Sequence, residues 1–183
     1  MRASVLLVAL VLSASTFFLP GRTAAQSVFV GAGVTVPTGD FSDDAKAGFL
    51  GIGGVTFPMG PQGLAILGEG YFGQNSHDLE GDKTSVYGAM GGLIYDFAGQ
   101  GEAGVYLFGQ AGLMVHKYSS EESSEFDDSE TGLAFGAGVG YGIPLGKANA
   151  WLEGRYMQGQ FDGGNTSFFG VVAGLSFPVG GGG

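Results

Sequence analysis

From residue 27 onward apolar side chains recur at every second position, and no segment holds a helical period across three turns. The pattern is plainest over 133–145. Leu133, Phe135, Ala137, Val139, Tyr141, Ile143 and Leu145 share one face, against Ala134, Gly136, Gly138, Gly140 and Gly142 on the other. The same design recurs in Phe169, Val171, Ala173, Leu175 and Phe177, opposite Phe168, Gly170, Val172, Gly174 and Ser176. Near the start, Val28, Val30, Ala32, Val34 and Val36 oppose Ser27, Phe29, Gly31, Gly33 and Thr35. The alternation predicts strands over 27–36, 47–57, 64–74, 84–97, 104–117, 131–143, 149–160 and 166–177. Most reach ten residues or more, longer than the ~5–6 of soluble strands and close to the ~9–11 of a tilted membrane-crossing strand. One strand is ambiguous: over 47–57, Leu50 and Ile52 compete with Phe49, Val55 and Phe57 for the apolar face.

The face opposite the apolar one is small and nearly uncharged. A soluble barrel would place charges there. The connections alternate as well. Pro37–Lys46, Asn75–Lys83, Tyr118–Glu130 and Phe161–Asn165 carry 13 of the 17 acids, whereas Pro58–Gly63, Ala98–Ala103 and Pro144–Ala148 are short. In an antiparallel meander the odd connections fall at one end and the even ones at the other. Transmembrane barrels have short periplasmic turns and longer outer loops. Outward aromatics gather at both strand ends: Phe57, Tyr95, Phe97, Tyr141 and Phe177 at the turn end, and Phe72, Tyr87, Phe135 and Phe169 at the loop end. Two aromatic girdles flanking an apolar band fit a barrel in lipid. The predicted fold is all-β, an eight-stranded antiparallel up-and-down transmembrane β-barrel over residues 26–183. A soluble lipocalin-like ligand-binding barrel is the alternative, with these aromatics filling its core.

Composition narrows the function. Glycine supplies 38 of 183 residues, about three times ordinary usage. The chain has no cysteine, which excludes a disulfide scaffold, a thiolate metal site and a cysteine nucleophile. A net charge of −10 argues against nucleic acid as a partner. Residues 1–25 read as a cleaved signal peptide. Arg2 is followed by the apolar run Ser4–Leu12, and Thr23, Ala24 and Ala25 place small residues before Gln26. A membrane anchor over 3–21 is the competing reading, diluted by Ser13, Ser15, Thr16, Pro20 and Gly21. Cleavage would remove Arg2 and Arg22 and no acid, moving the net charge from −10 to −12.

The stretches VFVGAGVTVPTGDF (28–41), GFLGIGGVTF (48–57), VYLFGQAGL (105–113), LEGRY (152–156) and GVVAGLSFPV (170–179) resemble the small bacterial outer-membrane β-barrel superfamily, of porin-like or surface-antigen type. The resemblance implies the outer membrane of a Gram-negative-type bacterium. It also implies outer-membrane lipid as surroundings and assembly by the outer-membrane insertion machinery. The family's final strand ends on an aromatic residue, matched by Phe177, although six residues follow it here.

Eight strands enclose a space that side chains just fill. Tyr71, Tyr106, Phe108, Trp151 and Met157 could fill it, against a glycine-rich wall. Three charges interrupt the strands: Glu69, Glu153 and Arg155. Glu69 lies about as far past the turn before its strand as Arg155 lies into its own, and the two strands face each other across an eight-membered ring. An unpaired charge in a narrow lumen is costly, so pairing is expected. That pair reads either as an internal plug or as the gate of a narrow channel for small solutes or ions. Asp96, Gln110 and His116 also point inward. Catalysis has little to stand on. The two histidines are His77, placed in an outer loop, and His116 near a strand end. Ser76 and His77, being adjacent on a strand, would point apart. No cofactor is expected, since runs such as GAGVGYG (136–142) lack the spacing of a phosphate loop. The loop Ser119–Thr131 holds Glu121, Glu122, Glu125, Asp127, Asp128 and Glu130. It reads as a solvated surface loop, with weak divalent-cation binding as the alternative. It lacks the pattern of a specific calcium loop.

Overall fold

A computed structural model describes residues 26–42, 45–60, 63–77, 82–99, 102–119 and 128–179. The expected leader over 1–25 lies outside them. The chain forms eight strands: β1 (Gln26–Thr38), β2 (Ala45–Pro58), β3 (Leu64–His77), β4 (Lys83–Asp96), β5 (Gly104–Ser119), β6 (Asp128–Leu145), β7 (Ala148–Phe161) and β8 (Gly164–Val179). Each pairs antiparallel with its sequence neighbour, and β8 closes onto β1. This is an eight-stranded up-and-down barrel with no free sheet edge, which is how a sheet satisfies its backbone where water is absent.

The pairing fixes the girth. A walk around the ring runs Ser27, Thr56, Leu67, Gly92, Gln110, Gly136, Met157, Phe168 and back to Pro37. It returns ten residues higher on β1 than it began, so the shear is ten. With ~3.3 Å per residue and ~4.8 Å between strands, a shear of ten tilts the strands by about 40° and sets the backbone radius near ~8 Å. At that radius inward side chains from opposite strands can meet across the lumen.

The period-two pattern decides which face meets lipid. Val30, Val34 and Val36 on β1, Leu133 and Val139 on β6 and Val171 on β8 are exposed, as are the girdle residues Phe57, Tyr95, Phe97, Tyr141, Phe177, Phe72, Phe135 and Phe169. Phe49 and Tyr156 join the loop-end girdle. Phe49 stacks on Phe72 with centroids 5.8 Å apart, and Tyr156 on Phe169 at 5.1 Å. The ambiguity over 47–57 resolves as Leu50 and Ile52 inside, Phe49 and Phe57 outside. The apolar band therefore faces outward, which rules out the lipocalin-like arrangement.

The strands reach further toward the loop end than apolar alternation alone indicates. β3 runs to His77 rather than 74, and β6 begins at Asp128 rather than 131. The placement of His77, Asp128 and Glu130 in loops is thus corrected. Beyond the membrane the outward residues turn polar, so the hydrophobic signal stops while ladder pairing continues through His116↔Glu130 and Tyr118↔Asp128. At the turn end, β6 and β7 are joined by Gly146–Lys147, with Gly146 at φ 67, a left-handed conformation that suits glycine.

Candidate functional site

Inward side chains lie in layers along the barrel. Nearest the outer loops, a 3₁₀ turn at Gly39–Ser42 folds Phe41 inward, its ring edge-on to His116 at 6.3 Å. Below it lies a polar layer. Asn75 is buried and donates from Nδ2 to Thr35 Oγ1 (3.1 Å) and to the Lys46 carbonyl (2.7 Å). This ties β3 to β1 and to the irregular start of β2, where register shifts between Ala45 and Gly48. The sequence reading placed Asn75 in a loop. Its inward parity on β3 was the signal available.

An apolar layer follows. Leu50, Val86, Met114, Ala134, Met157, Phe168 and Val172 all have at most 1 % of their surface exposed. They converge from β2, β4, β5, β6, β7 and β8, with Tyr71 of β3 beside them. Tyr71 donates its hydroxyl to the Leu113 carbonyl at 3.2 Å, satisfying its polar end across the wall.

Beneath this layer sit the three interior charges. Arg155 on β7 reaches across the barrel to Glu69 on β3. Its Nη1 lies 2.5 Å from Oε1 and its Nη2 2.9 Å from Oε2, a two-pronged pair. Its Nε donates to Glu153 Oε1 at 2.6 Å. Glu153, two residues earlier on the same strand, therefore shares the inward face. Tyr106 donates to Glu153 Oε2 at 3.2 Å, and Gln110 Nε2 to Glu69 Oε1 at 3.3 Å. The guanidinium carbon stands 5.2 Å from the centroid of the Phe108 ring. All three charged residues are buried. Two carboxylates face one guanidinium. The sequence marks Tyr106 only as a lumen-filling residue, because a tyrosine's hydrogen-bond partner depends on barrel height.

Two cavities flank the filled section. One, of about 190 Å³, opens at the turn end and has Glu69, Glu153 and Arg155 as its ceiling and Phe29, Tyr106, Phe108 and Trp151 in its walls. Phe29 meets Trp151 edge-on at 6.3 Å. A Cβ at Gly31 or Gly174 would overlap the Trp151 ring, so the glycine wall is what admits the indole. The other cavity, of about 590 Å³, is a vestibule at the loop end lined by His77, His116, Asp82, Tyr118 and Phe161 among others. There His77 Nε2 is 2.8 Å from Thr84 Oγ1, and His116 Nδ1 is 3.1 Å from Thr166 Oγ1. Ser76 faces outward while His77 faces the vestibule, so those two do not meet.

Of the acidic loop, Glu121, Glu122, Glu125 and Asp127 lie outside the described residues, and only the backbone of Asp128 is described. Glu130 stands on β6 and accepts from the Asp162 amide at 2.7 Å, bracing the β7–β8 turn. Among the described residues no cluster of His, Asp or Glu is arranged to hold a metal ion.

The described strands form a closed barrel with an apolar outer face. The model of the outer membrane protein β-barrel domain matches residues 4–177. The chain belongs to that family. It is an outer-membrane β-barrel protein, crossing the bilayer by strands; no helix among the described residues is long and apolar enough to do so. No curated protein matches it. Several solved structures share its fold. Neisserial surface protein A superposes with a TM-score of 0.63 at 17% identity, covering 84% of this chain and 96% of its own. Ail, the attachment invasion locus protein of Yersinia pestis, gives 0.55 at 20% identity, covering 85% and 100%. The N-terminal β-barrel domain of Pseudomonas aeruginosa OprF gives 0.53 at 15% identity, covering 82% and 97%.

Proposed function

We propose that this outer-membrane barrel has a structural, surface-exposed role, with a filled lumen, acidic outer loops and no catalysis. The observation that carries the reading is the stack of seven side chains at 1 % exposure or less lying directly above a buried, hydrogen-bonded charge triad. Conduction would require both layers to move aside together. The alternative is a narrow channel gated by Glu69 and Arg155, in which the same triad would open.

Outer-membrane lipid surrounds the apolar band, and the insertion machinery is the partner expected during assembly. At the loop end, 13 acids favour a hydrated surface and weak, exchangeable divalent cations over any specific metal site. One relative of this fold, Ail, has been solved with the heparin analogue sucrose octasulfate. The acidic loops of this chain would repel such a polyanion, so a surface role here calls for a different kind of partner.

Planar-bilayer recording on the folded protein tests the reading. No stable unitary conductance is expected, and Glu69→Ala should leave the trace flat. A reproducible open level in the native protein would overturn the filled-lumen assignment. An open level that changes with Glu69→Ala would establish the gated channel instead.

A further inference from the structure

We propose that the turn-end cavity is a binding site for a small organic cation with an apolar body, such as an alkyl- or arylammonium. Thirteen of the 17 acids lie at the loop end, in the odd connections or on the start of β6. The remaining four are Glu69, Asp96, Glu102 and Glu153, and all four line this one cavity. Arg155 is the single cation among the lining residues.

The ceiling is unbalanced in a way that calls for a positive charge. Arg155 forms its two-pronged pair with Glu69, and that pair is neutral. Glu153 shares the same guanidinium, with Nε and Nη2 each 2.6 Å from its Oε1, and receives one further bond from the Tyr106 hydroxyl. Its side chain is 7% exposed. One negative charge at the head of an apolar cavity therefore lacks a counter-charge of its own, and a buried uncompensated carboxylate is costly. The walls suit the rest of such a ligand. Phe29, Trp151, Tyr106 and Phe108 present rings around the cavity, and aromatic rings attract cations that carry alkyl groups better than they attract hydrated metal ions. Asp96 and Glu102 stand with them around the cavity and raise the local concentration of cations. By the rule that barrel turns lie on the periplasmic side, the ligand enters from the periplasm. The site does not depend on whether the lumen conducts.

Trp151 is the only tryptophan in the chain and lines the cavity, so its emission reports on occupancy. The probe is choline, titrated into the full folded protein in a maltoside detergent, which carries no ammonium group. Its neutral carbon isostere serves as control. A saturable change in emission is expected with choline, and roughly tenfold weaker binding of the isostere. Two variants locate the site. Glu153→Gln should weaken choline but not the isostere. If that variant fails to fold, Gly142→Leu decides the matter. Gly142 lines the cavity, and a Cβ there meets nothing within 4 Å, so a larger side chain starts from open space at the cavity wall. Gly142→Leu should keep the heat-modifiable folded form and lose the choline response. Equal response to choline and isostere would overturn the cation assignment. A choline response that survives Gly142→Leu would place binding elsewhere, and no response in the native protein would remove the site.

Discussion

Replacing Arg155 by methionine would leave Glu69 and Glu153 buried and facing each other with no cation between them. The magnitude follows from what is lost. Arg155 supplies four short contacts to carboxylate oxygens, at 2.5 and 2.9 Å to Glu69 and two at 2.6 Å to Glu153, and both partners are buried. Hydrogen bonds to charged groups contribute about 1.5–3 kcal/mol each, and removing one partner of a buried ion pair costs about 3–5 kcal/mol because a charge is stranded. A loss of about 4 kcal/mol is therefore expected for Arg155→Met. The four contacts do not add, since relaxation and water entry from the turn-end cavity relieve part of the penalty. The companion is the triple variant Glu69→Gln, Arg155→Met, Glu153→Gln, which removes every interior charge. It should recover most of the loss, because a neutral core of similar volume is about as stable as a buried ion cluster. The assay is urea unfolding in lipid vesicles, followed by the boiled-versus-unboiled gel shift and by Trp151 emission. A single variant that loses less than about 1 kcal/mol would show that the triad is solvated in the folded barrel and would refute the reasoning. A triple variant as unstable as the single one would show that volume, not charge, was at stake.

Three further outcomes are expected. Val139→Arg places a cation on the lipid face between the girdles marked by Phe135 and Tyr141; urea unfolding in vesicles should show a loss of about 2–4 kcal/mol, and no loss would mean that this face is not in lipid. Gly140→Leu should prevent the compact gel form, because a Cβ there overlaps the Tyr106 ring, while Gly154→Leu, on the lipid face with open space around it, should fold with native mobility. Asn75→Ala removes donors to Thr35 and to the Lys46 carbonyl and should cost about 1–3 kcal/mol in the same unfolding assay, with amide exchange rising first at the start of β2.

Much of this architecture is legible without coordinates because a β-strand has a period of exactly two. Once Leu133, Phe135 and Val139 are seen to alternate with Gly136, Gly138 and Gly140, one face must be apolar and the other crowded, and only a surrounding lipid makes the apolar face the outer one. The parity of the connections then assigns the acids to one end. Where two apolar sets overlapped, as in Leu50 and Ile52 against Phe49 and Phe57, alternation alone had no answer. The neighbours decided: Phe49 has Phe72 to stack on outside, and Leu50 completes the sealed layer inside.

The strand ends toward the loops were the weakest part of the reading, for a physical reason. Pairing between His116 and Glu130 or between Tyr118 and Asp128 depends on backbone hydrogen bonds and carries no hydrophobic signature. Height across the barrel is also beyond the sequence. Counting along β3 and β7 suggests that Glu69 and Arg155 lie level, but which side chains share their layer depends on the shear of ten. That number is the sum of eight separate registers, each set by loop length and by irregularities such as the one between Ala45 and Gly48. The shear brings Tyr106 of β5 beneath Glu153 and seals Met114, Met157 and Phe168 into one layer above it. Residue types and their alternation are local and are written along the chain; closure is a property of the whole ring, so the triad's partners and the cavity below it exist only once the eighth strand has met the first.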